Sequence, residues 1–268
     1  MAGSEGGGIL RRVRGVALFV LMAAAMMAQG QTEDLAAPSE GTDQRAGAGG
    51  PGPQALVDPV GEVRDRRSWE YGPFVNWGTG VGERSDFKFF WAGFELGKVL
   101  TPVVHAGLLS GQFQFGGNIQ PLWQSYTPPP HEQAYTCITP EGQPIGCELP
   151  TGGGTFYGVS IMPVIFRWNF LTRSRKVQPW FQAAGGLIYT THKYPPNILS
   201  NPTLGIDGGT CVWNFSPQGG VGIHYFLKQG RSMDLGVNAV HISSASLGDR
   251  NPGVNASVQV QVGYTFWR

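Results

Sequence analysis

Residues 254–267 read Val-Asn-Ala-Ser-Val-Gln-Val-Gln-Val-Gly-Tyr-Thr-Phe-Trp, and this alternation with a period of two decides the fold class. Up to Phe266, every even position is apolar, and every odd position carries a polar side chain or a glycine. Side chains of a β-strand point alternately to the two faces of a sheet. The stretch therefore predicts a strand with one apolar face, one polar face and an aromatic-rich end.

The same period recurs upstream, from Trp69 onward, in place of the 3.6-residue period of a helix. Phe113 and Phe115, for example, alternate with glutamines. Read as strands, these segments number eight. Their predicted ranges are 69–80, 86–98, 103–115, 155–168, 178–190, 212–227, 231–244 and 254–267.

The connections between the predicted strands differ in length at the two ends of the sheet. Residues 99–102, 169–177 and 228–230 form short connections, whereas residues 116–154 and 191–211 form long ones. Each strand can cross a bilayer at a tilt, for which about 9–11 residues suffice. Short turns at one end and long loops at the other are typical of outer-membrane barrels. We therefore predict an all-β fold, an eight-stranded antiparallel transmembrane β-barrel of the outer membrane.

The composition agrees with this fold class. Charged residues make up 14% of the 268 residues and aromatic residues 12%, with 41 Gly, 20 Pro and a formal net charge of +1. An average soluble domain has roughly 25% charged residues. These values disfavour a coiled coil, a helical bundle and a basic nucleic-acid-binding protein. We accordingly expect no nucleic-acid partner.

A soluble lipocalin-like barrel or a sandwich is the alternative fold, with its apolar residues inside and its polar residues outside. Alternation alone does not distinguish the two arrangements. The outer face of a soluble barrel usually carries many Lys and Glu side chains. The polar faces here are mostly Gly, Gln, Asn and Ser, which suit a narrow polar lumen and favour the membrane barrel.

The N-terminal residues have the features of a secretion signal. Arg11, Arg12 and Arg14 precede an apolar run over residues 16–27, and residues 28–30 supply the small side chains that signal peptidase requires. The run is shorter than the roughly 20 residues of a spanning helix, and an uncleaved anchor is the alternative. We predict a signal peptide at 1–30, a disordered linker at 31–66 and the barrel domain at 67–268. The protein is then secreted and resides in the outer membrane of a Gram-negative bacterium.

Cys137, Cys147 and Cys211 all fall in the predicted outer loops. An oxidising compartment allows one disulfide and leaves one thiol, and the sequence does not decide which two residues pair. Neither the cysteine nor the histidine spacing matches a metal site. We therefore expect no cofactor and no metal.

His241 and Ser243 are two residues apart on the apolar face of the seventh predicted strand. Their side chains then point the same way, about 6–7 Å apart along the strand, close enough for the imidazole to act as a general base on the hydroxyl. Polar side chains on a lipid-facing surface are costly, and a lipid substrate would give them a purpose. The alternative is a polar pair that simply meets headgroups and water.

The neighbouring sequence adds three motifs. Residues 241–247 read His-Ile-Ser-Ser-Ala-Ser-Leu, residues 251–253 read Asn-Pro-Gly, and residues 263–266 read Gly-Tyr-Thr-Phe. The preceding segment, residues 214–222, reads Asn-Phe-Ser-Pro-Gln-Gly-Gly-Val-Gly. Together they resemble the lipid A 3-O-deacylase family, which has a His-x-Ser-Asn-Ala motif and then Asn-x-Gly in the last hairpin of an eight-stranded outer-membrane barrel.

The resemblance implies a role for each matching residue. Ser243 resembles the family's nucleophile, His241 its general base, and Asn251 the amide that helps to bind the oxyanion. Asn255 stands where members of the family have the Glu that orients the histidine.

The chain departs from the family pattern at Asn255 and also at Ser244, which stands where the family has Asn. An amide accepts a hydrogen bond from an imidazole but does not stabilise an imidazolium by charge. Asn255 also falls on the polar face of its strand, whereas His241 falls on the apolar one. Asp249, in the loop just past the pair, is an alternative carboxylate.

The function implied is that of an outer-membrane esterase that removes an ester-linked fatty acyl chain from lipid A of lipopolysaccharide by a Ser/His mechanism. Its partners are then lipid A as substrate and the surrounding outer-membrane lipid. The alternative is a non-catalytic outer-membrane barrel with a structural or lipopolysaccharide-binding role. A small pore is disfavoured because eight strands leave an interior just wide enough for side chains.

Overall fold

The computed structural model describes residues 58–129, 131–151, 154–195, 211–245, 247 and 255–268. The predicted signal peptide and residues 31–57 of the predicted linker lie outside these ranges. One α-helix, α1 (Pro59–Arg66), precedes the strands. The strands are β1 (Trp69–Gly80), β2 (Lys88–Val99), β3 (Gly111–Tyr126), β4 (His131–Ile138), β5 (Pro144–Thr151), β6 (Thr155–Phe170), β7 (Val177–Tyr194), β8 (Cys211–Phe215), β9 (Gln218–Lys228), β10 (Arg231–His241) and β11 (Ala256–Trp267).

The main sheet closes on itself as an antiparallel barrel. Its order is β6-β3-β2-β1-β11-β10-β9-β7, and an additional pairing of β6 with β7 joins the two ends. Strand β8 also pairs with β7 and continues the line of β9 across a break at residues 216–217. Pro217 explains the break, because proline has no backbone N–H to donate to a ladder. Counting β8 and β9 as one wall strand gives eight, which confirms the predicted fold class.

The ends of the wall strands lie within about four residues of the sequence predictions, except at the third wall strand. The alternation predicts 103–115, whereas β3 covers Gly111–Tyr126. The preceding residues form a connection that includes a short 3₁₀ turn, Gly107–Leu109. Gly107 has a φ of 60°, in the left-handed region that favours glycine, and this conformation is incompatible with a continuous strand.

Burial shows which face of the barrel points outward. In β10, Leu235 and Val237 are 41% and 39% exposed, whereas Asp234 and Asn238 are buried. The same alternation holds along β11. The apolar face is therefore outside and the polar face inside, as in a membrane-spanning barrel and opposite to the soluble alternative. No helix of the described residues is long and apolar enough to cross a membrane.

The side chains that fill the lumen differ between its short-turn half and its long-loop half. Near the short turns, the Arg167 guanidinium lies 2.8 Å from a Glu70 carboxylate oxygen and 2.6 Å from one of Glu95. It also donates to Gln182, whose amide donates to Asn238 at 3.0 Å. These contacts pair the buried guanidinium, whose charge would otherwise be costly to bury.

The long-loop half of the lumen contains a buried cluster of aromatic and aliphatic side chains, which the sequence analysis did not predict. Polar side chains such as Ser125, Thr190 and Asn214 are buried in the same half. Trp123 packs edge-on against Tyr194 at a centroid distance of 5.2 Å and lies 6.3 Å from Trp91. Val240 and Ile242, at the end of β10, belong to the same cluster and anchor that strand end from inside.

Helix α1 occupies the C-terminal end of the predicted linker. Its cap is Asp58, whose side chain accepts a hydrogen bond from the Gly61 N–H at 2.9 Å. Val60 and Val63 pack on three residues at the short-turn end of the barrel, in a cluster formed by Val60, Val63, Val99, Phe226 and Trp267. The helix therefore covers the short-turn end of the lumen.

Strands β4 and β5 form a separate hairpin in the long loop after β3. A disulfide joins Cys137 to Cys147 within it, and Cys211 at the start of β8 is a free cysteine. This agrees with the prediction of one disulfide and one thiol, and it identifies the pair.

Candidate functional site

The backbone around His241 and Ser243 is held on both sides at the long-loop end of the barrel. The His241 N–H donates to the Pro217 carbonyl at 2.9 Å. Past the end of β10, Ser243 and Phe215 exchange two backbone hydrogen bonds, of 2.7 and 3.0 Å. On the other side, the Ile242 N–H donates to the carbonyl of Asn255 at 2.9 Å. These bonds continue the strand geometry as far as Ser243, although the regular strand ends at His241.

Alternation then separates the side chains of residues 241–244. His241 and Ser243 are half-buried on the outward face, in line with the exposed Ala239, whereas Ile242 and Ser244 are buried on the lumen side. The structure therefore brings the predicted base and nucleophile to the same lipid-facing surface. In the described part of the chain, no hydrogen bond joins their side chains, as is common for catalytic pairs without substrate.

A tight turn follows Ser243. Its hydroxyl oxygen accepts a hydrogen bond from the Ala245 N–H at 3.2 Å, and Ala245 has a φ of 49°. Because the hydroxyl accepts here, its own hydrogen remains free to be donated to an imidazole. The left-handed conformation is unusual for a residue other than glycine, and such strain is often found at functional sites. The sequence motif alone did not single out Ala245.

Asn255 lies on the opposite side of the barrel wall from His241. Its side chain is 6% exposed and faces the lumen, since the residue paired with His241 in the ladder is its neighbour Ala256. The structure therefore does not bring the Asn255 amide to the imidazole, and the parity of its strand explains why. Asn251 and Asp249, the other predicted members of the site, lie outside the described residues.

Ser244, at the second departure from the family pattern, is fully buried. Within the described residues its hydroxyl has no hydrogen-bond partner. It faces the lumen beside the apolar cluster, so it does not share a surface with Ser243.

The outward surface beside Ser243 is apolar and aromatic. Phe215, its bridge partner, is 38% exposed, and Trp213 on the same face is 52% exposed. Trp213 packs on Tyr189 of β7 at a centroid distance of 4.9 Å. A hydroxyl beside such a surface can meet an ester whose acyl chain lies along the aromatic side chains.

A second histidine of the described residues lies in a different setting. His224 is fully buried in the lumen, where its Nδ1 lies 2.7 Å from an Asp234 oxygen. Asp234 also accepts from Ser232 at 2.9 Å, so this pair belongs to a hydrogen-bond network inside the barrel and not to the outward surface that carries His241 and Ser243. The described residues contain no group of three side chains suited to hold a metal ion.

Comparisons with known proteins bear on this site. A comparison with curated proteins finds no match. Among solved structures, the outer membrane enzyme PagL is 15% identical, covering 72% of this chain and 98% of its own, with a TM-score of 0.39. Neisserial surface protein A is 12% identical over 74% and 96%, with a TM-score of 0.41. The N-terminal β-barrel domain of Pseudomonas aeruginosa OprF is 12% identical over 75% and 98%, with a TM-score of 0.36.

A family model described as "Lipid A 3-O-deacylase (PagL)" matches residues 123–265, which is more than half of the chain. The matched region runs from the end of β3 almost to the end of β11 and includes both His241 and Ser243. The chain therefore belongs to the lipid A 3-O-deacylase family.

Proposed function

We propose that this protein is an outer-membrane esterase that removes an ester-linked fatty acyl chain from lipid A of lipopolysaccharide. The observation that carries the proposal is the placement of His241 and Ser243 together on the outward, lipid-facing surface, within the region that matches the family. A water-soluble substrate would not require a catalytic pair on that surface, whereas a lipid ester reaches it by lateral diffusion in the membrane.

The topology supports a site in the outer leaflet. In outer-membrane barrels the long loops lie outside the cell and the short turns lie in the periplasm. Ser243 follows β10 at the start of a long-loop connection, so its hydroxyl lies near the outer interface. Lipopolysaccharide occupies that leaflet, and its ester carbonyls lie between the sugar headgroup and the acyl chains. The depth of Ser243 therefore suits such an ester.

The proposed reaction proceeds through an acyl-enzyme. The Ser243 oxygen attacks the ester carbonyl carbon while His241 takes the hydroxyl proton, and an oxyanion forms. Collapse of this intermediate breaks the bond to the sugar oxygen, which receives the proton from His241. Water, deprotonated by His241, then attacks the acyl-serine and releases the fatty acid, and the proton returns to Ser243.

The oxyanion needs donors that are in place before the reaction. The Ala245 N–H, which already points to the Ser243 oxygen, is one candidate. The Asn251 amide is the other, by its match to the family motif. A single donor of this kind contributes about 3–4 kcal/mol to stabilising the transition state.

In the proposed site, a residue other than Asn255 has to orient the His241 imidazole. Asn255 faces the lumen, so we propose Asp249 for this role, in the connection just past Ser243. A carboxylate there would fix the imidazole tautomer and stabilise the imidazolium. In serine proteases, replacing such a carboxylate with an amide lowers turnover by about 10⁴-fold.

The direct test measures acyl-chain release. Purified barrel is incubated with lipid A in mixed micelles, and the products are analysed by mass spectrometry. We expect loss of one acyl chain with the wild type and a decrease of at least about 10³-fold with Ser243→Ala. Ser244→Ala is the matched control, because that hydroxyl is buried on the other side of the wall.

A fluorophosphonate ester probe distinguishes this proposal from a non-catalytic barrel. An activated Ser243 should be labelled, and labelling should disappear in both Ser243→Ala and His241→Ala. Intact lipid A together with an unlabelled serine in the wild type would support the structural or lipopolysaccharide-binding alternative.

A proposal for delivery to the outer membrane rests on the N-terminal sequence. We propose that residues 1–30 are removed as a signal peptide and that the following residues up to Asp58 link the new N-terminus to α1. N-terminal sequencing of the protein recovered from outer membranes should begin near Gln31, and a chain retaining Met1 would contradict this.

A further inference from the structure

A basic cleft lies at the short-turn end of the barrel, far from the proposed active site. It has a volume of about 520 Å³ and opens between α1 and the turn that joins β9 to β10. Six of its lining residues are Glu62, Arg66, Lys228, Arg231, Trp267 and Arg268. Glu62 carries the only acidic side chain among them, and it already forms an ion pair with Arg66 at 2.7 Å. The cleft therefore has surplus positive charge.

Cations at this end of the barrel pack on outward-facing aromatic rings. Arg231 of β10 lies 4.1 Å from the ring centroid of Phe266 in β11, and it is paired with Lys228 across the β9–β10 hairpin. Two strands further along the wall, Lys98 lies 5.2 Å from the ring centroid of Trp69. Cations of β10 and β2 thus lie against outward-facing aromatic rings of β11 and β1.

Aromatic rings on the outer wall mark the depth of the membrane interface. Phe266 belongs to such a group, since it stacks on Tyr71 at a centroid distance of 5.4 Å and contacts Tyr264 at 5.2 Å. The cations packed on these rings therefore lie at the depth of lipid headgroups. At the short-turn end, these are the headgroups of the periplasmic leaflet.

We propose that this cleft binds the phosphate of an anionic phospholipid in the periplasmic leaflet. Arginine forms bidentate hydrogen bonds with phosphate oxygens, and Arg231 and Arg268 supply two such groups beside Lys228. The outward aromatic rings supply a surface for the glycerol and the first part of the acyl chains. A soluble anion would use the charges but not the rings, which is why we favour a lipid. The proposal is independent of the esterase activity.

The test measures lipid binding by the full-length mature protein. Phosphatidylglycerol and phosphatidylethanolamine are titrated separately into barrel held in a zwitterionic detergent, and bound lipid is counted by native mass spectrometry. We expect phosphatidylglycerol to bind more tightly. The triple variant Lys228→Gln/Arg231→Gln/Arg268→Gln should bind it roughly 100-fold more weakly, a factor of about five for each cation removed.

A second triple variant supplies the matched control. Arg173→Gln/Arg175→Gln/Lys176→Gln removes the same charge from the exposed turn between β6 and β7, at the same end of the barrel. It should change the affinity by no more than about twofold. Heat-dependent gel mobility establishes that each variant has a folded barrel.

Three outcomes would overturn the proposal. Equal losses in the two triple variants would indicate a diffuse charge effect without a site. Equal affinity of the wild type for the two lipids would remove the role of the anionic headgroup. Displacement of the lipid by inorganic phosphate, or by a soluble anionic cell-wall fragment, would assign the cleft to a water-soluble anion.

Discussion

At the end of β10, strand alternation places the side chains of His241 and Asn255 on opposite faces of the barrel wall, although the family motif would bring them together. His241 and Ser243 face outward, whereas Asn255 faces the lumen because Ala256 is the ladder partner of His241. A shift of one residue would place Asn255 on the outward face. The register therefore decides which polar groups can take part in the proposed chemistry, independently of their closeness in sequence.

Restoring the family's acid at position 255 should not restore a triad. Asn255→Glu places a carboxyl group on the lumen side, where it cannot reach the imidazole. We expect no increase in the rate of lipid A deacylation and a lower midpoint of urea unfolding, because it is costly to bury a carboxyl group in the lumen. A rate increase of about tenfold or more would show that position 255 reaches His241 after all.

Asp249 makes the complementary prediction. If its carboxylate orients His241, Asp249→Asn should lower kcat by about 10²–10⁴-fold and leave KM nearly unchanged, since the interaction strengthens as the imidazolium forms. The pH profile of kcat should shift as well, which the loss of a purely structural contact would not cause. A wild-type rate in this variant would remove Asp249 from the proposed mechanism.

Among the elements of the fold, α1 shows how a short helix can be stable beside a barrel. Its N-terminus is capped by Asp58 and begins with proline, which is favourable at the first helical position. Eight residues are too few for stability in isolation, so most of the stabilisation comes from packing Val60 and Val63 on the barrel end. The helix and its docking surface therefore form one unit.

Weakening that packing should release α1 without unfolding the barrel. Val63→Asp places a charge against Trp267 and Phe226, so residues 59–66 should lose hydrogen-exchange protection and become susceptible to limited proteolysis. Heat-dependent gel mobility of the barrel should remain that of the wild type. Asp65→Ala, on the exposed side of the same helix, is the control and should behave as the wild type.

The Arg167 network makes a different prediction for the strands that it joins. Arg167→Met leaves Glu70 and Glu95 without their cation, and the loss of one partner of a buried pair costs about 3–5 kcal/mol in the free energy of unfolding. Arg167→Met combined with Glu70→Gln should recover part of this loss, as measured by urea unfolding in lipid vesicles. A double variant less stable than the single one would contradict the assigned ion pair.

For the whole molecule, the apolar outer surface is the property that separates a membrane barrel from a soluble one. Val260 lies near the middle of β11, faces outward and is 49% exposed. In a soluble barrel, a charged side chain at such a position would face water and would hardly change the stability. In a membrane barrel it lies in the hydrocarbon.

Val260→Arg should therefore destabilise the barrel in lipid vesicles by about 2–4 kcal/mol, the cost of an arginine near the bilayer midplane. Glu141→Arg, in the exposed turn between β4 and β5, supplies the control and should leave stability unchanged. Equal stabilities of the two variants and the wild type would contradict a spanning barrel.

The sequence predicts most of the wall because alternation reports directly on two chemically different faces. It predicts the outward placement of His241 and Ser243 for the same reason. It misplaces β3, since the left-handed Gly107 interrupts an apolar stretch that carries no period of its own. It also misses α1 and the apolar cluster in the lumen, because both depend on contacts between residues far apart in the chain, such as Val63 with Trp267.

The lumen is covered at one end and filled in its other half, so water-soluble molecules should reach the proposed active site from one side of the membrane only. Helix α1 covers one end, and buried aromatic residues such as Trp91 and Trp123 occupy the other half. The water that completes deacylation, and any hydrophilic inhibitor, would then have to come from the external medium. In vesicles containing barrels of both orientations, a serine-reactive reagent that does not cross the membrane can be added outside the vesicles. It should inactivate only the molecules whose long loops face outward.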